Sequence, residues 1–319
     1  MRDIAAPASH KSWLWKKILR VFWRVIAFLP DEPFVKLKYL SLSGRFPNLD
    51  NPRLFTEKLQ VRKLHDRNPL FGTMVDKHGA KALIAERAGP QYVIDTYWAG
   101  RDPREVDWST IPLPAVVKPT HGSGTGVFLH DRAGIDAFLD SNIASRWLSD
   151  THHQINREWA YSQVDPQIIV ERMLVDSSDA PDDYRFFVFS GKIALIELRL
   201  RRNGIVYESY FTASWTRIPV ATGYYPEYPG EVPRPAKLDE MFCVARKLAG
   251  DIDFMRVDLY CPGDKVFVGE LTLYPGGGFA GASPDEFEKT LGDLLQLDCA
   301  PPTVRSLDVP SMVGVLAAE

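Results

Sequence analysis

The chain has 319 residues, 45% of them apolar and 25% charged, a length that fills more than one core and so predicts two or three subdomains of an ordinary globular protein. Three scattered cysteines, Cys243, Cys261 and Cys299, make no CxxC pair and no disulfide framework, which fits a reducing cytoplasm. The net charge of −3 conceals an asymmetry, because residues 1–30 hold six Lys/Arg against Asp3 alone and leave about −8 on the rest. An acidic body with a basic leader argues against general nucleic-acid binding.

The leader runs HKSWLWKKILRVFWRVIAFLPDEP. In a helix Lys16, Arg20 and Arg24, with Lys17 beside them, gather on one face and leave Trp13, Leu14, Ile18, Val21, Phe22 and Val25 on the other. Each central Lys or Arg costs ~3 kcal/mol to insert, so the four oppose spanning a bilayer by roughly 10 kcal/mol. No uninterrupted apolar stretch with a cleavage site follows, which also excludes a signal peptide. Residues 11–29 are expected either to lie on an anionic membrane surface or to dock on the protein's own body.

After this segment (1–45), the turn-rich SGRFPNLDNPRLFTEKL connects to helices predicted at about 56–66 and 72–88, the second closed by Gly89 and Pro90. Residues 114–131, PAVVKPTHGSGTGVFLHD, predict a strand, a loop and a strand, and 133–149 a helix. Lys118 ends the first strand as a point charge for phosphate oxygens. Gly122, Gly124 and Gly126 around Ser123 allow positive φ angles and an anion-binding nest of backbone N–H groups; a plain flexible turn is the competing reading. QIIVERML is an apolar strand ending in Glu171, Arg172, Met173 and Leu174, read either as a strand edge offering backbone to an adenine or as a core strand meeting a loop. Further β-rich runs follow, with one helix at about 236–249 and a last one capped by Ser283 and Pro284. The mixture predicts an α+β protein with largely antiparallel sheets and not a Rossmann alternation.

The stretch RVDLYCPGDKVFVGELTLYPGGGF carries the candidate metal site. Alternation sets Arg256, Asp258 and Tyr260 on one face with Val257 and Leu259 toward the core; on the next strand Val266, Val268, Glu270 and Thr272 share a face opposite Phe267, Leu271 and Leu273. A three-residue loop of Pro262, Gly263 and Asp264 would pair Cys261 with Lys265 and set Arg256 opposite Glu270 and Asp258 opposite Val268. Asp258 and Glu270 are then diagonal neighbours, ~7 to 8 Å apart, able to share a cation, with Thr272 as a neutral third ligand. An ordinary cross-strand ion-pair network is the alternative. Arg256 is the best-placed arginine, and Arg199 and Arg201 are weaker candidates. The histidines match no metal-ligand spacing and read as surface residues, His121 excepted.

Taken in order, NPRLFTEKL, VDKHGAKALI, VVKPTHGSG, IIVERML, DDYRFFVFSGK, RVDLY and GELTLYPGGGF resemble the ATP-grasp superfamily, most closely its TupA-like branch associated with cell-surface polysaccharide biosynthesis, over residues 46–292. The resemblance implies two α+β subdomains clamping ATP. An N-terminal subdomain would span 46–115, a lid subdomain 116–175 and a central subdomain 176–300, with a tail at 301–319. It also implies Lys77 and Lys118 on phosphates with Lys81 near them, Glu171 to Leu174 as adenine hinge, Asp183 on the ribose, and Asp258 and Glu270 holding Mg²⁺. Where many ATP-grasp enzymes have E-x-N this chain has ELT, so Thr272 stands in for the asparagine oxygen. Arg256 and Lys118 would act in catalysis, in which a carboxylate attacks the γ-phosphate and an amine displaces phosphate from the resulting acylphosphate. The expected partners are a small-molecule or polysaccharide-precursor carboxylate and an amine, the expected location the cytoplasm or the inner membrane face. A sugar kinase or other phosphotransferase, and a non-catalytic nucleotide-binding subunit, are the rival functions.

The surface-helix reading predicts that the full chain co-sediments with anionic vesicles and that a chain lacking residues 1–30 does not; equal pelleting of the two excludes it.

Overall fold

The computed structural model describes residues 26–174, 181–220, 222, 224–281 and 285–297. The leader up to residue 25, the Ser283–Pro284 cap and the tail lie outside them. Among the described residues no helix is long and apolar enough to cross a membrane. The chain divides into two compact units, residues 1–47 and 48–319. In the first, helix α1 (Asp31–Ser43) begins with Asp31 and Glu32, whose carboxylates complement the helix dipole. It ends at Gly44, where a φ of 76° lets the N–H return to the Leu40 carbonyl.

The second unit opens with α2 (Phe55–His65), α3 (Leu70–Val75) and α4 (Gly79–Arg87). The helix predicted over 72–88 is thus two helices. Asp76 breaks it: its side chain accepts the His78 N–H at 2.9 Å and its carbonyl accepts the Ala80 N–H at 2.8 Å, a local bonding pattern that competes with helix propagation. The break sets Lys77 in a turn. The helix predicted over 133–149 is likewise α5 (Arg132–Asp140) and α6 (Ile143–Leu148), interrupted at Asn142 with φ 51°, and α7 (His152–Asn156) follows. Helices α8 (Leu238–Ala249) and α9 (Asp285–Leu294) complete the set.

Two antiparallel sheets carry the unit. The smaller has the order β1–β4–β2–β3, from Thr96–Gly100, Ala115–Pro119, Val127–Leu129 and Ile168–Arg172. Val117, Leu129, Ile168 and Val170 pack it on Ile135 and Phe138 of α5 and Trp147 of α6. The larger has the order β10–β9–β5–β6–β7–β8, from Asp183–Phe189 (β5), Lys192–Arg202 (β6), Ile205–Phe211 (β7), Arg217–Ile218 (β8), Met255–Tyr260 (β9) and Phe267–Thr272 (β10). Period-two alternation gives this sheet two unlike faces. Tyr184, Phe186, Val188, Ile196, Leu198 and Val257 bury one face in the core shared with Leu238, Met241 and Leu248 of α8. On the other, Phe187, Phe189 and Leu195 pack with Phe55 of α2 and Phe287 of α9, while Asp183, Arg185, Glu197, Arg256 and Asp258 continue the same rows as charges.

Helix α2 is pinned beneath this face by two buried cations. Arg62 is fully buried, bound to Asp253 at 2.6 Å and to the Phe254 carbonyl at 2.8 Å, with its guanidinium 4.7 Å from the Phe71 ring. Lys63 donates to the carbonyls of Asn156 and Gly277 at 2.9 and 2.7 Å. Truncating one partner of such a pair strands a buried charge. Arg62→Ala is therefore expected to cost about 3 to 5 kcal/mol in urea denaturation, well beyond the effect of Lys36→Ala, whose exposed pair with Glu32 lies in α1.

Candidate active site

The hairpin of β9 and β10 brings the predicted metal residues together in a register different from the expected one. Tyr260 pairs with Phe267 and Val268 with Leu259; then a bulge at Gly269 shifts the ladder, so that Glu270 lies opposite Asp258 and Thr272 opposite Arg256. The predicted three-residue loop is corrected to the six residues 261–266. The pairs Arg256–Glu270 and Asp258–Val268 do not form, and Asp258 and Glu270 are direct and not diagonal neighbours. The bulge also exchanges faces ahead of it: Val266 and Val268 join the core and Phe267 turns to the side of Tyr260. A Cβ at Gly269 would come within 2.5 Å of the Tyr260 ring, so the ring can lie there only over a glycine.

Strand pairing extends this hairpin into a row of charge. Asp258 faces Arg185 on β5, Arg185 faces Glu197 on β6, and Arg199 faces Glu208 on β7. Arg256 holds both oxygens of Asp258 at 2.7 Å and reaches Thr272 Oγ1 at 3.3 Å. Arg185 binds Asp183 Oδ2 at 2.7 Å and Glu197 at 3.0 Å, and Arg199 binds Glu197 at 2.7 Å and Glu208 at 3.2 Å. Five carboxylates, Asp183, Glu197, Glu208, Asp258 and Glu270, thus meet three guanidiniums, Arg185, Arg199 and Arg256. The imbalance registers in the titrations. Burial and the neighbouring Asp258 raise Asp183 to about 6 against the pull of Arg185, and burial and Glu197 raise Glu208. Burial also opposes ionisation of Glu197, but Arg185, Arg256 and Arg199 outweigh it and bring its pKa down to about 2. Asp183 Oδ1 is buried without a hydrogen-bond partner, and Glu270 has no hydrogen bond or ion pair among the described residues. A surplus of two negative charges with an unpartnered Glu270 fits a divalent cation. Asp258 would have to share its oxygens with Arg256.

Across the cleft stand three lysines. Lys118 ends β2 and forms an ion pair with Glu171, whose other oxygen takes Lys81 at 3.0 Å; Lys81 also donates to the Ile94 carbonyl at 2.5 Å. Lys77, placed by the break after α3, donates to the Gly122 carbonyl. Burial lowers the pKa of both Lys77 and Lys81, opposed by Glu270 for the first and Glu171 for the second. Lys77, Lys81, Lys118, Glu171 and Glu270 line one small cavity, where clustered, partly desolvated ammoniums favour an anion with several oxygens. The glycine loop closes its end: Gly122 and Gly124 take φ of 90° and 72°, while Gly126, expected to do the same, does not. Ser123 and Gly124 are exposed at the tip.

A second cavity, of about 480 Å³, is lined by Arg172, Met173, Leu174, Tyr97, Pro114 and Phe267 among others. Strand β4 is interior, between β1 and β2, so it is no edge. Its Arg172 N–H goes to the Asp95 carbonyl at 2.9 Å and its Met173 N–H to the Pro114 carbonyl at 3.4 Å. Strand β10 borders both cavities, Phe267 lining the larger and Val268 to Leu271 the smaller, which is the cleft between the lysines and Glu270.

The model of the TupA-like ATP-grasp family matches residues 57–296. The chain belongs to the TupA-like ATP-grasp family. No curated protein matches it. Solved structures similar to it include the Bacillus anthracis D-alanine–D-alanine ligase complexed with ATP, at 17% identity and a TM-score of 0.46 over 72% of this chain and 67% of that one. Another is the Bacillus licheniformis L-amino acid ligase, at 14% and 0.46 over 79% of this chain and 57% of that one.

In this TupA-like ATP-grasp protein Lys77, Lys118, Glu171 and Glu270 line the smaller cavity, Arg172, Met173 and Leu174 the larger, and Asp183, Arg256, Asp258 and Thr272 lie on the charged strands beside them, whereas Ser123 and Gly124 line neither. Lys81, Arg185, Glu197, Glu208 and Tyr161 were not assigned roles beforehand. The alternating charges of DDYRFF and IELRLRR carried a signal for the middle ones, and Lys81 lies one helical turn past Lys77. Burial raises the Glu171 pKa, but the Lys118 and Lys81 ammoniums outweigh it and leave the carboxyl below its ordinary 4.5. Its ion pairs therefore stabilise the fold fully above the unfolded value and are lost as pH falls through the lower folded one. Glu171→Gln should lower stability at pH 7 and flatten the fall in stability toward pH 3, read from urea denaturation at both pH values.

Proposed function

We propose that the protein is an ATP- and Mg²⁺-dependent carboxylate–amine ligase that works through an acylphosphate and modifies a cell-surface polysaccharide precursor, amidating a uronic acid with an amino acid. The observation that carries the reading is the facing of three lysine ammoniums and a carboxylate-rich sheet across one cleft. Phosphoryl transfer needs both: cations for the phosphate oxygens and hard oxygen ligands for the metal that neutralises them.

Each element then has a task. Lys77 and Lys118 bind phosphate oxygens, and the backbone of Gly122, Ser123 and Gly124 covers them and excludes water that would hydrolyse an acylphosphate. Glu171, Arg172, Met173 and Leu174 form the adenine side, with the Phe267 ring 5.4 Å from the Arg172 guanidinium and the Met173 N–H held by the Pro114 carbonyl at 3.4 Å. The unpartnered Asp183 Oδ1 accepts a ribose hydroxyl. Asp258, Glu270 and Thr272 hold Mg²⁺, which when bound neutralises charge on the transferring phosphoryl group. Arg256 orients the substrate carboxylate beside them. A carbohydrate acceptor is supported only by the outer part of the face, where the Tyr225 ring lies 4.7 Å from the Arg199 guanidinium. Hydrogen-bonding groups interleaved with aromatic rings suit sugar hydroxyls and sugar faces. In this proposal residues 11–29 hold the enzyme at the cytoplasmic membrane surface.

The test is ADP release from the full chain with a panel of uronic acids crossed with amino acids. Turnover is expected only when a carboxylate and an amine are both present, and Glu270→Ala and Lys118→Ala should each slow it by about a hundredfold or more. ADP formed with a hydroxyl acceptor and no amine would replace the ligase with a phosphotransferase, and tight ATP binding without turnover would replace it with a binding subunit.

A further inference from the structure

The histidine pair His152–His153, read from the sequence as surface, begins α7, and the structure gives the first of the two a different setting. A Cβ added to Gly122 would lie 3.0 Å from His152 Nδ1, so the imidazole packs directly on the glycine of the phosphate loop. Lys77 donates to the carbonyl of that same glycine. An imidazole, an ammonium and a peptide with φ of 90° therefore meet at the inner end of the loop. The opposite side of the imidazole stands edge-on to Tyr161, with ring centroids 4.8 Å apart at 73°. Tyr161 is buried and feels the charges of Glu270 and Glu158, which places the histidine's packing partner near the metal carboxylates.

The imidazole is half-buried and its nitrogens have no hydrogen-bond partner among the described residues. With Nδ1 against Gly122, Nε2 is the nitrogen left to reach a ligand. Burial, then the Lys77 charge, lowers the His152 pKa, against the pull of Asp150; the ring is neutral at neutral pH and keeps one N–H to donate. Its helix is fixed at the far end. Lys63 joins the Asn156 carbonyl to the Gly277 carbonyl, so α7 spans from the phosphate loop to the Gly276–Gly278 turn.

We infer that His152 is a specificity residue for nucleoside triphosphate over diphosphate, its Nε2–H donating to the terminal phosphate beside Lys77 when the Gly122–Gly124 loop covers the nucleotide. The inference rests on the nucleotide reading of the cleft. On this inference a diphosphate, lacking the terminal phosphate, gains nothing from the imidazole. A histidine that served only to pack Tyr161 would affect both nucleotides alike.

Calorimetric titration of the full chain with Mg²⁺ and either ADP or the non-hydrolysable triphosphate AMP-PNP separates these cases. His152→Ala is expected to weaken AMP-PNP by about tenfold, the loss of one hydrogen bond to a charged group, and ADP by less than about twofold. His152→Gln, which offers an N–H at a similar reach, should restore part of the preference, and His153→Ala should leave both affinities unchanged. Thermal melts of the variants report on folding. Equal loss for both nucleotides in His152→Ala, or loss for neither, overturns the inference while leaving the nucleotide site intact. A wild-type chain that binds neither nucleotide removes the nucleotide reading itself.

Discussion

Charge buried on one face of the six-stranded sheet is the constraint around which this molecule is arranged. Ionised groups are costly to remove from water unless paired, and Asp183, Arg185, Glu197, Arg199, Arg256 and Asp258 survive there because strand pairing sets opposite signs side by side. The compensation is incomplete. Asp183 and Glu208 are harder to ionise than usual, and Glu270 makes no hydrogen bond or ion pair among the described residues, although its charge is felt by Lys77. A face left negative in this way has a standing affinity for cations, and the lysines opposite give the cleft a matching affinity for polyanions.

The same face explains the placing of the helices. Where its rows are aromatic, α2 and α9 cover them; toward the β9–β10 hairpin the same rows become charged. The close approach of α2 depends on Arg62 and Lys63, which replace water around backbone carbonyls at the base of β9 and in the glycine turn after β10. Gln60 adds a third donor, to the Gly278 carbonyl. A turn in which Gly276, Gly277 and Gly278 all have positive φ is thereby held in one conformation by a helix more than two hundred residues earlier.

Much of this was legible in sequence because period-two alternation is local. VVKPT, RVDLY and GELT announce which residue types share a face, and the antiparallel α+β class follows from the same runs. Register was not legible. The loop CPGDK supports an odd-length turn, and the six-residue connection with a compensating bulge at Gly269 becomes intelligible only once the Tyr260 ring is seen lying over that glycine. The helix breaks at Asp76 and Asn142 were hidden for a related reason: helical apolar spacing continues through them, while side-chain-to-backbone bonds and a left-handed residue end the helices. The charge row across β9, β5, β6 and β7 depends on strand order, which no single stretch encodes.

The break at Asp76 has the widest consequence. On a continuous helix Lys77 would point where the 3.6-residue repeat sends it. In the turn its main chain bonds the Thr120 carbonyl at 3.0 Å and its side chain bonds Gly122, so the helical segment and the phosphate loop share one hinge point. His152 packs on that glycine from the other side. Movement of the loop over a ligand must therefore be felt by Lys77 and by α7 at once, and through Asn156 and Lys63 by the glycine turn beside the carboxylate face.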